Sequence, residues 1–168
     1  RDSNVISIAN KFKKKFKNRF QFYQLRFSQM ETVLKKEIVD TIILDLGLSS
    51  IQLNNLDRGF SFKSKKNLDM TMGLTDKSAQ YVINNLSESQ LMLIIKILGE
   101  EKDAKKIARN IAKARVEKEI TRVDELVNII EKSKKKNFST RINPSTKTFQ
   151  ALRIFVNKET TELINGII

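Results

Sequence analysis

The stretch Thr41-Ile42-Ile43-Leu44-Asp45-Leu46-Gly47 decides the reading of the fold. Its aliphatic residues follow one another without polar alternation. Such a run suits a strand buried on both faces of a parallel sheet. Gly47 then punctuates it at once. Towards the N-terminus, Phe20 to Gln24 reads as a shorter strand and Met30 to Lys36 as a helix. Val5 to Phe16 reads as another helix. It sets Val5, Ile8, Ala9, Phe12 and Phe16 on one face and carries Lys11, Lys13, Lys14 and Lys15 on the other. Helix, strand, helix, strand is the grammar of an α/β sheet.

After Gly47 the grammar changes. Residues 47–73 are loop-rich. From Ser78 to Lys132 the periodicity is helical throughout, and Ser87 with Gln90 and Thr121 with Asp124 supply capping boxes. Between them, a helix from about Asp103 to Lys118 sets Ala104, Ile107, Ala108 and Ile111 on one side. Lys105, Lys106, Arg109 and Lys113 are left to the other. Lys132 to Asn143 reads as a basic loop. Pro144, the only proline, precedes a last helix from about Ser145, with Phe149, Leu152, Phe155 and Val156 at helical spacing. There is no internal repeat.

Composition narrows the chemistry. The 168 residues carry 32 Lys and Arg against 19 Asp and Glu, a formal net charge of +13. That excess favours polyanionic partners, nucleic acid before an anionic membrane surface, although a Lys-rich codon bias would give the same number. With 40% hydrophobic residues the chain can bury a core. It has no Cys and no His, which removes disulfides, zinc thiolates, a cysteine nucleophile and the commonest general base. No apolar run approaches the ~20 residues a bilayer requires, and no signal peptide is visible. A cytoplasmic or organelle-matrix protein is the expectation.

Three segments carry candidate chemistry. The first is Asp45-Leu46-Gly47-Leu48-Ser49-Ser50-Ile51-Gln52-Leu53. Ligands of open α/β sheets bind beyond the carboxyl ends of the strands, where Asp45 would stand. The plainer alternative is that Asp45 only caps a turn. The second is Arg58-Gly59-Phe60-Ser61-Phe62 with Leu68-Asp69-Met70-Thr71-Met72. Its rings could stack on a base, or could simply anchor a loop on the core. The third runs from Asn143 to Ile154, a helix N-terminus beside Lys147 and Arg153 that could attract an anion or be an ordinary capped helix. The run from Lys11 to Arg19 reads as a solvated helix face, with an RNA contact as the alternative.

Together these segments resemble the MraW family, which methylates the exocyclic N4 of a cytidine in small-subunit ribosomal RNA. The family phrase D-L-G-x-S-S-P-Q-L is matched from Asp45 to Leu53, with Ile51 for the usual Pro. R-G-F-S-F is intact at Arg58 to Phe62. L-D-M-R-M-D appears as Leu68 to Gly73, with Thr71 and Gly73 for Arg and Asp. G-E-E-x-x-A-K-x-I-A-R is matched from Gly99 to Arg109. T-R-T-F-Q-A-L-R-I becomes Thr146 to Ile154, with Lys147 for the first Arg, and Val156, Asn157 and Glu159 continue it.

The resemblance implies an α/β fold: a partial class I (Rossmann-like) methyltransferase sheet with an inserted all-helical domain. Residues 1–50 would belong to the sheet, 51–143 to the lead-in loop and helical insert, and 144–168 to a helix returning to the methyltransferase domain. The cofactor it implies is S-adenosyl-L-methionine, contacted by Phe27, Asp45 and Gln52. Asp45, Ser49 and Ser50 are the candidates for catalysis at the amine. Arg58, Phe60, Arg109, Lys147 and Arg153 are the candidates for contact with substrate RNA. No metal is implied. The partners implied are small-subunit ribosomal RNA or the assembled small ribosomal subunit, with no membrane, and a homodimer is left open. On the family pattern the ribose-binding acidic residue would fall just before Arg1, so Asp2 is not its counterpart. The glycine-rich turn and the closing strands would also fall outside the chain. The expectation is an internal piece, inactive alone, of an enzyme. A non-catalytic basic RNA-binding module derived from the family is the alternative.

Overall fold

The computed structural model describes residues 2–34, 39–73, 75, 77–134 and 142–168. The chain divides into two compact units. One comprises Arg1–Leu46, Met72–Leu74 and Lys158–Ile168, and the other Gly47–Thr71 and Thr75–Asn157.

In the first unit, Asp2 caps a 3₁₀ turn at Ser3–Val5, its Oδ1 accepting from the Asn4 N–H at 3.0 Å. Helix α1 spans Ile6–Phe16, within the segment expected. A 3₁₀ turn, Phe27–Gln29, leads into α2, Glu31–Leu34. The expected extension of that helix through Lys35 and Lys36 lies outside the described residues. Helix α9, Glu159–Ile167, packs on the 3₁₀ turn.

The two expected strands are not formed. Among the described residues the only β pairing is an isolated antiparallel bridge between Asn67 and Arg122, in the second unit. Among the described residues, 20–24 and 41–46 take part in no β pairing. The run expected to be buried on both faces is instead exposed: Ile42 by 60% and Ile43 by 87%. A strand exists only through a neighbour that takes its N–H and C=O groups, and no described segment is paired with this one. Apolar patterning identified a segment suited to a sheet interior. It could not supply the pairing.

The second unit is helical. After α3 (Ser50–Asn54) and a 3₁₀ turn at Leu56–Arg58 come α4 (Ala79–Asn85), α5 (Glu88–Leu98), α6 (Ala104–Glu117), α7 (Val123–Ser133) and α8 (Thr146–Val156). Helix α5 packs on both α6 and α8, and α7 packs on α6. The apolar stripe read from the sequence is the buried one: Ala104, Ile107, Ala108 and Ile111 are at most 1% exposed, whereas Lys105, Lys106, Arg109 and Lys113 are on the outer side. Burying a side chain such as Ile107 contributes about 1.5–3 kcal/mol. On α8, Phe149, Leu152 and Val156 are buried, but Phe155 is on the solvent side. Of the expected basic loop from Lys132 to Asn143, residues 135–141 lie outside the described residues, and Lys132 and Ser133 complete α7.

Glycine decides one close approach. A Cβ on Gly99 would stand 2.4 Å from the Lys147 carbonyl oxygen and 2.8 Å from that of Ile95. Only a residue without a side chain lets the end of α5 meet the start of α8 there. Lys147 Nζ then donates to the Glu100 carbonyl at 2.9 Å, a cation at the negative end of α5. The next residue, Glu101, is buried and ion-paired with Lys134, which also donates to the Pro144 carbonyl.

Of the two expected capping boxes, the one at Ser87 is formed and the one between Thr121 and Asp124 is not. Ser87 Oγ accepts from the Gln90 N–H and Gln90 Oε1 from the Ser87 N–H. At α7 the acceptor is Glu125 rather than Asp124. Its Oε2 accepts from the N–H groups of both Thr121 and Arg122 at 3.0 Å. The Thr121 carbonyl is engaged with the Leu68 N–H, so the helix starts one residue later and the longer side chain reaches back. Asp124 instead forks with the Arg122 guanidinium. The Glu125 carboxyl is held below its ordinary value, first by the hydrogen bond from Lys118 and then by these backbone donors. Its contribution to stability is therefore present above the ordinary glutamate value and is lost as pH falls through the lowered one. Glu125→Ala is expected to cost about 1 kcal/mol at neutral pH. The gap between wild type and variant should close in acid, as followed by urea unfolding at a series of pH values.

Candidate functional site

The turn after Asp45 is built from short-range hydrogen bonds. Gly47 has φ 112°, a backbone conformation that L side chains rarely adopt. Two residues on, Ser49 caps α3: its Oγ accepts from the Gln52 N–H at 3.3 Å, and Gln52 Oε1 accepts from the Ser49 N–H at 3.1 Å. Ser49 and Ser50 are exposed and Gln52 is buried. Gln52 thus holds the turn with its amide oxygen, a role that S-S-x-Q spacing already encodes. Ile51 is the second helical residue, whose N–H has no partner within the helix in any case. The family's proline and this isoleucine are therefore equally admissible there. Asp45, in the first unit, is exposed.

Phe27, also in the first unit, is half-buried. A Cβ on Gly166 would come within 2.4 Å of its ring, so the glycine of α9 makes room for the phenylalanine. On either side of Phe27, two side chains are tied to one carboxylate. Arg26 Nη1 donates to Glu162 Oε1 at 3.1 Å, and Ser28 Oγ donates to Glu162 Oε2 at 2.8 Å. Glu162 is 4% exposed. The sequence pattern did not single it out. The available signal was its place four residues before Gly166, on one helical face.

In the second unit the R-G-F-S-F and L-D-M segments close into one knot. Arg58 Nη2 donates to the Thr71 carbonyl at 2.6 Å, and its guanidinium lies 5.6 Å from the centroid of the Phe60 ring. Gly59 has φ 70°, and a Cβ there would stand 2.6 Å from the Asn67 carbonyl oxygen. The Met70 N–H returns to the Arg58 carbonyl at 2.9 Å. Thr71, where the family pattern has Arg, donates its hydroxyl to Asp69 at 3.0 Å. Met70 itself has φ 57° and is fully buried. Its carbonyl accepts from the amide of Asn157 at 2.8 Å, and the same amide nitrogen donates to the Arg153 carbonyl at 2.9 Å.

Phe60 is 4% exposed, and Phe62 meets Phe149 edge-on at 6.4 Å. These rings anchor a loop on the core, the plainer of the two readings. Arg109 and Lys147 are exposed and Arg153 is half-buried. Among the described residues no group of His, Cys, Asp and Glu could hold a metal ion. Nor is any helix long and apolar enough to cross a membrane.

The ordered phrases, now seen as capped turn, knot and helix junction, can be set against known proteins. Residues 1–167 match the MraW methylase family. The chain belongs to that family. Among curated proteins it is similar to ribosomal RNA small subunit methyltransferase H of Bartonella grahamii, 42% identical over 99% of this chain and 50% of the relative. The protein of the same name in Orientia tsutsugamushi is 42% identical over 98% of the chain and 54% of the relative. That of Brucella anthropi is 38% identical over the whole chain and 50% of the relative. The chain thus spans about half the length of the relatives it matches.

Two substitutions probe this geometry. Asn157→Ala leaves the buried Met70 carbonyl without its side-chain donor and should cost about 1–3 kcal/mol in urea unfolding. Asn157→Asp should be no better, since it sets an acceptor against two acceptors. Glu162→Ala strips Arg26 and Ser28 of their shared acceptor. In hydrogen exchange it should expose the amides of Gln29 and Met30 while those of α5 and α6 stay protected.

Proposed function

We propose that the chain serves the S-adenosylmethionine-dependent N4-methylation of a cytidine in small-subunit ribosomal RNA. The observation that carries this reading is the family match over the whole chain, together with relatives named as methyltransferases of that RNA. The sheet belongs to the same reading. In the whole protein, residues 41–46 would be a strand of a Rossmann-like methyltransferase domain made by residues 1–50. Residues 51–143 would form the helical insert and 144–168 would lead back.

The residues present suit the cofactor. Phe27 offers a half-buried ring for an adenine face, Asp45 an exposed carboxylate for hydroxyl or amine donors, and Gln52 fixes the turn that follows Asp45 in sequence. When bound, S-adenosylmethionine supplies an electrophilic methyl group. Methyl transfer is an in-line displacement that depends on position more than on acid–base power. That suits a chain without His or Cys. Ring-carbon methylation of cytosine through a covalent adduct would need a cysteine nucleophile. N4 methylation does not. The N4 lone pair is delocalised into the ring, and an acceptor for its hydrogens favours the pyramidal amine. Asp45 is assigned that role, with Ser49 and Ser50 beside it in the sequence. Arg58 and Phe60 would act by holding the knot. Arg109, Lys147 and Arg153 would offer charge to the RNA backbone. A cytidine in a loop or otherwise unpaired is the suitable target. The setting is the bacterial cytoplasm or an organelle matrix, with the small subunit as partner.

The test is transfer of labelled methyl to small ribosomal subunits lacking the modification. It would use this chain and a version extended at both ends to the length of its relatives. Label in N4-methylcytidine from the extended version is expected. Asp45→Ala in that version should lower turnover at saturating cofactor while cofactor affinity holds. Lost affinity with normal turnover would remove Asp45 from the chemistry. No label from either version, with tight salt-sensitive RNA binding, would favour a binding module instead.

A further inference from the structure

Helix α1 and the turn after it carry a charge pattern that the methyl-transfer reading does not use. Between Ile6 and Arg19 there is no acidic residue, while Lys11, Lys13, Lys14, Lys15, Lys17 and Arg19 supply six cations within nine positions. All six are exposed, and none of them stands in an ion pair among the described residues. Elsewhere the exposed Lys66 and Lys118 have found carboxylates, at 3.7 and 2.8 Å. At the helical repeat, Lys11, Lys14 and Lys15 share one stripe, and Ala9, Phe12 and Phe16 another. The apolar stripe is partly spent within the fold, since Ala9 is 6% exposed and Phe16 half-buried. Phe12 differs. Its ring is 43% exposed, stacked on Phe16 at 5.8 Å with 9° between planes and propped by Phe20 at 5.8 Å. Lys15 Nζ lies 5.3 Å from the centroid of Phe16.

We infer that this surface, exposed lysines around a propped and exposed ring, is an RNA-binding surface. The lysines take backbone phosphates and Phe12 stacks on an unpaired base. Cations that track a strand beside an aromatic platform are what single-stranded nucleic acid requires. The inference rests on the reading that the substrate is ribosomal RNA. It adds an RNA-binding surface made of residues other than those assigned to the cofactor and the amine. An anionic membrane would be drawn to the same charge. A helix lying on a bilayer, however, must sink a broad apolar face, and here Ala9 and Phe16 already face the fold.

The experiment titrates the 168-residue chain against deproteinised small-subunit ribosomal RNA over a range of salt. A variant with Lys11, Lys13, Lys14 and Lys15 changed to Gln is compared with one of equal charge loss at Lys77, Lys96, Lys102 and Lys132, exposed residues with no part in the reading. The first variant should lower the slope of log affinity against log salt by about 3, roughly 0.7–0.9 for each phosphate no longer neutralised. The second should change it by less than about 1. Phe12→Ala, with helix content checked by circular dichroism, should weaken binding about tenfold while leaving the salt slope unchanged. Equal effects of the two four-lysine variants would reduce the surface to net charge and overturn the inference. So would an absence of RNA binding by the chain. If the first variant stopped binding mixed phosphatidylcholine–phosphatidylserine vesicles but still bound RNA as the wild type does, the surface would belong to a membrane instead. None of these outcomes touches the methyl-transfer assay, so the inference can fail while that reading stands.

Discussion

The helical unit depends on one buried amide. Asn157 stands at the end of α8, fully buried, and its side-chain nitrogen reaches two carbonyls at once, those of Met70 and Arg153. The Met70 carbonyl belongs to a residue whose positive φ is uncommon for a long side chain. Such a conformation persists only where its surroundings fix it. Here they are the Arg58–Thr71 bond, the Met70–Arg58 backbone bond and the glycine at 59, where any Cβ would strike Asn67. Phrases that read as separate signatures in the sequence are thus parts of one hydrogen-bonded object. Their residue types are dictated by backbone geometry as much as by any ligand.

Helices were legible because their signals are local. The α6 stripe, the Ser87 box and the start of α8 after Pro144 each depend on residues within one or two turns. The Thr121 box shows where local reasoning stops. The pattern T-R-V-D satisfied the rule, but the Thr121 carbonyl is engaged by Leu68, far back along the chain. No window around residue 121 contains that fact. The strands are unpaired among the described residues for the same reason on a larger scale. Patterning says which side chains a segment would bury, while pairing is a property of two segments.

The candidate site divides in the same way. Gln52 and Ser49 were visible because the capping box is a local motif, though its presence says how the turn is held and not what it holds. Arg58 and Phe60 drew attention as residue types suited to RNA. Their geometry gives them structural work first: a backbone carbonyl for the guanidinium and a core position for the ring. Glu162 carried no such signal, because a carboxylate on a helix is ordinarily solvated. Only its partners, Arg26 and Ser28, at the other end of the sequence, explain its burial.

That separation has a consequence for how the chain is made. The helical unit is drawn from one nearly unbroken stretch, residues 47–157, whereas the other unit takes in both the opening segment and α9. During synthesis the helices can close on one another as they emerge. Arg26 and Ser28 must wait for Glu162, the partner 136 and 134 positions further on. Residues 47–157 are therefore all synthesised before Glu162, the acceptor that Arg26 and Ser28 share.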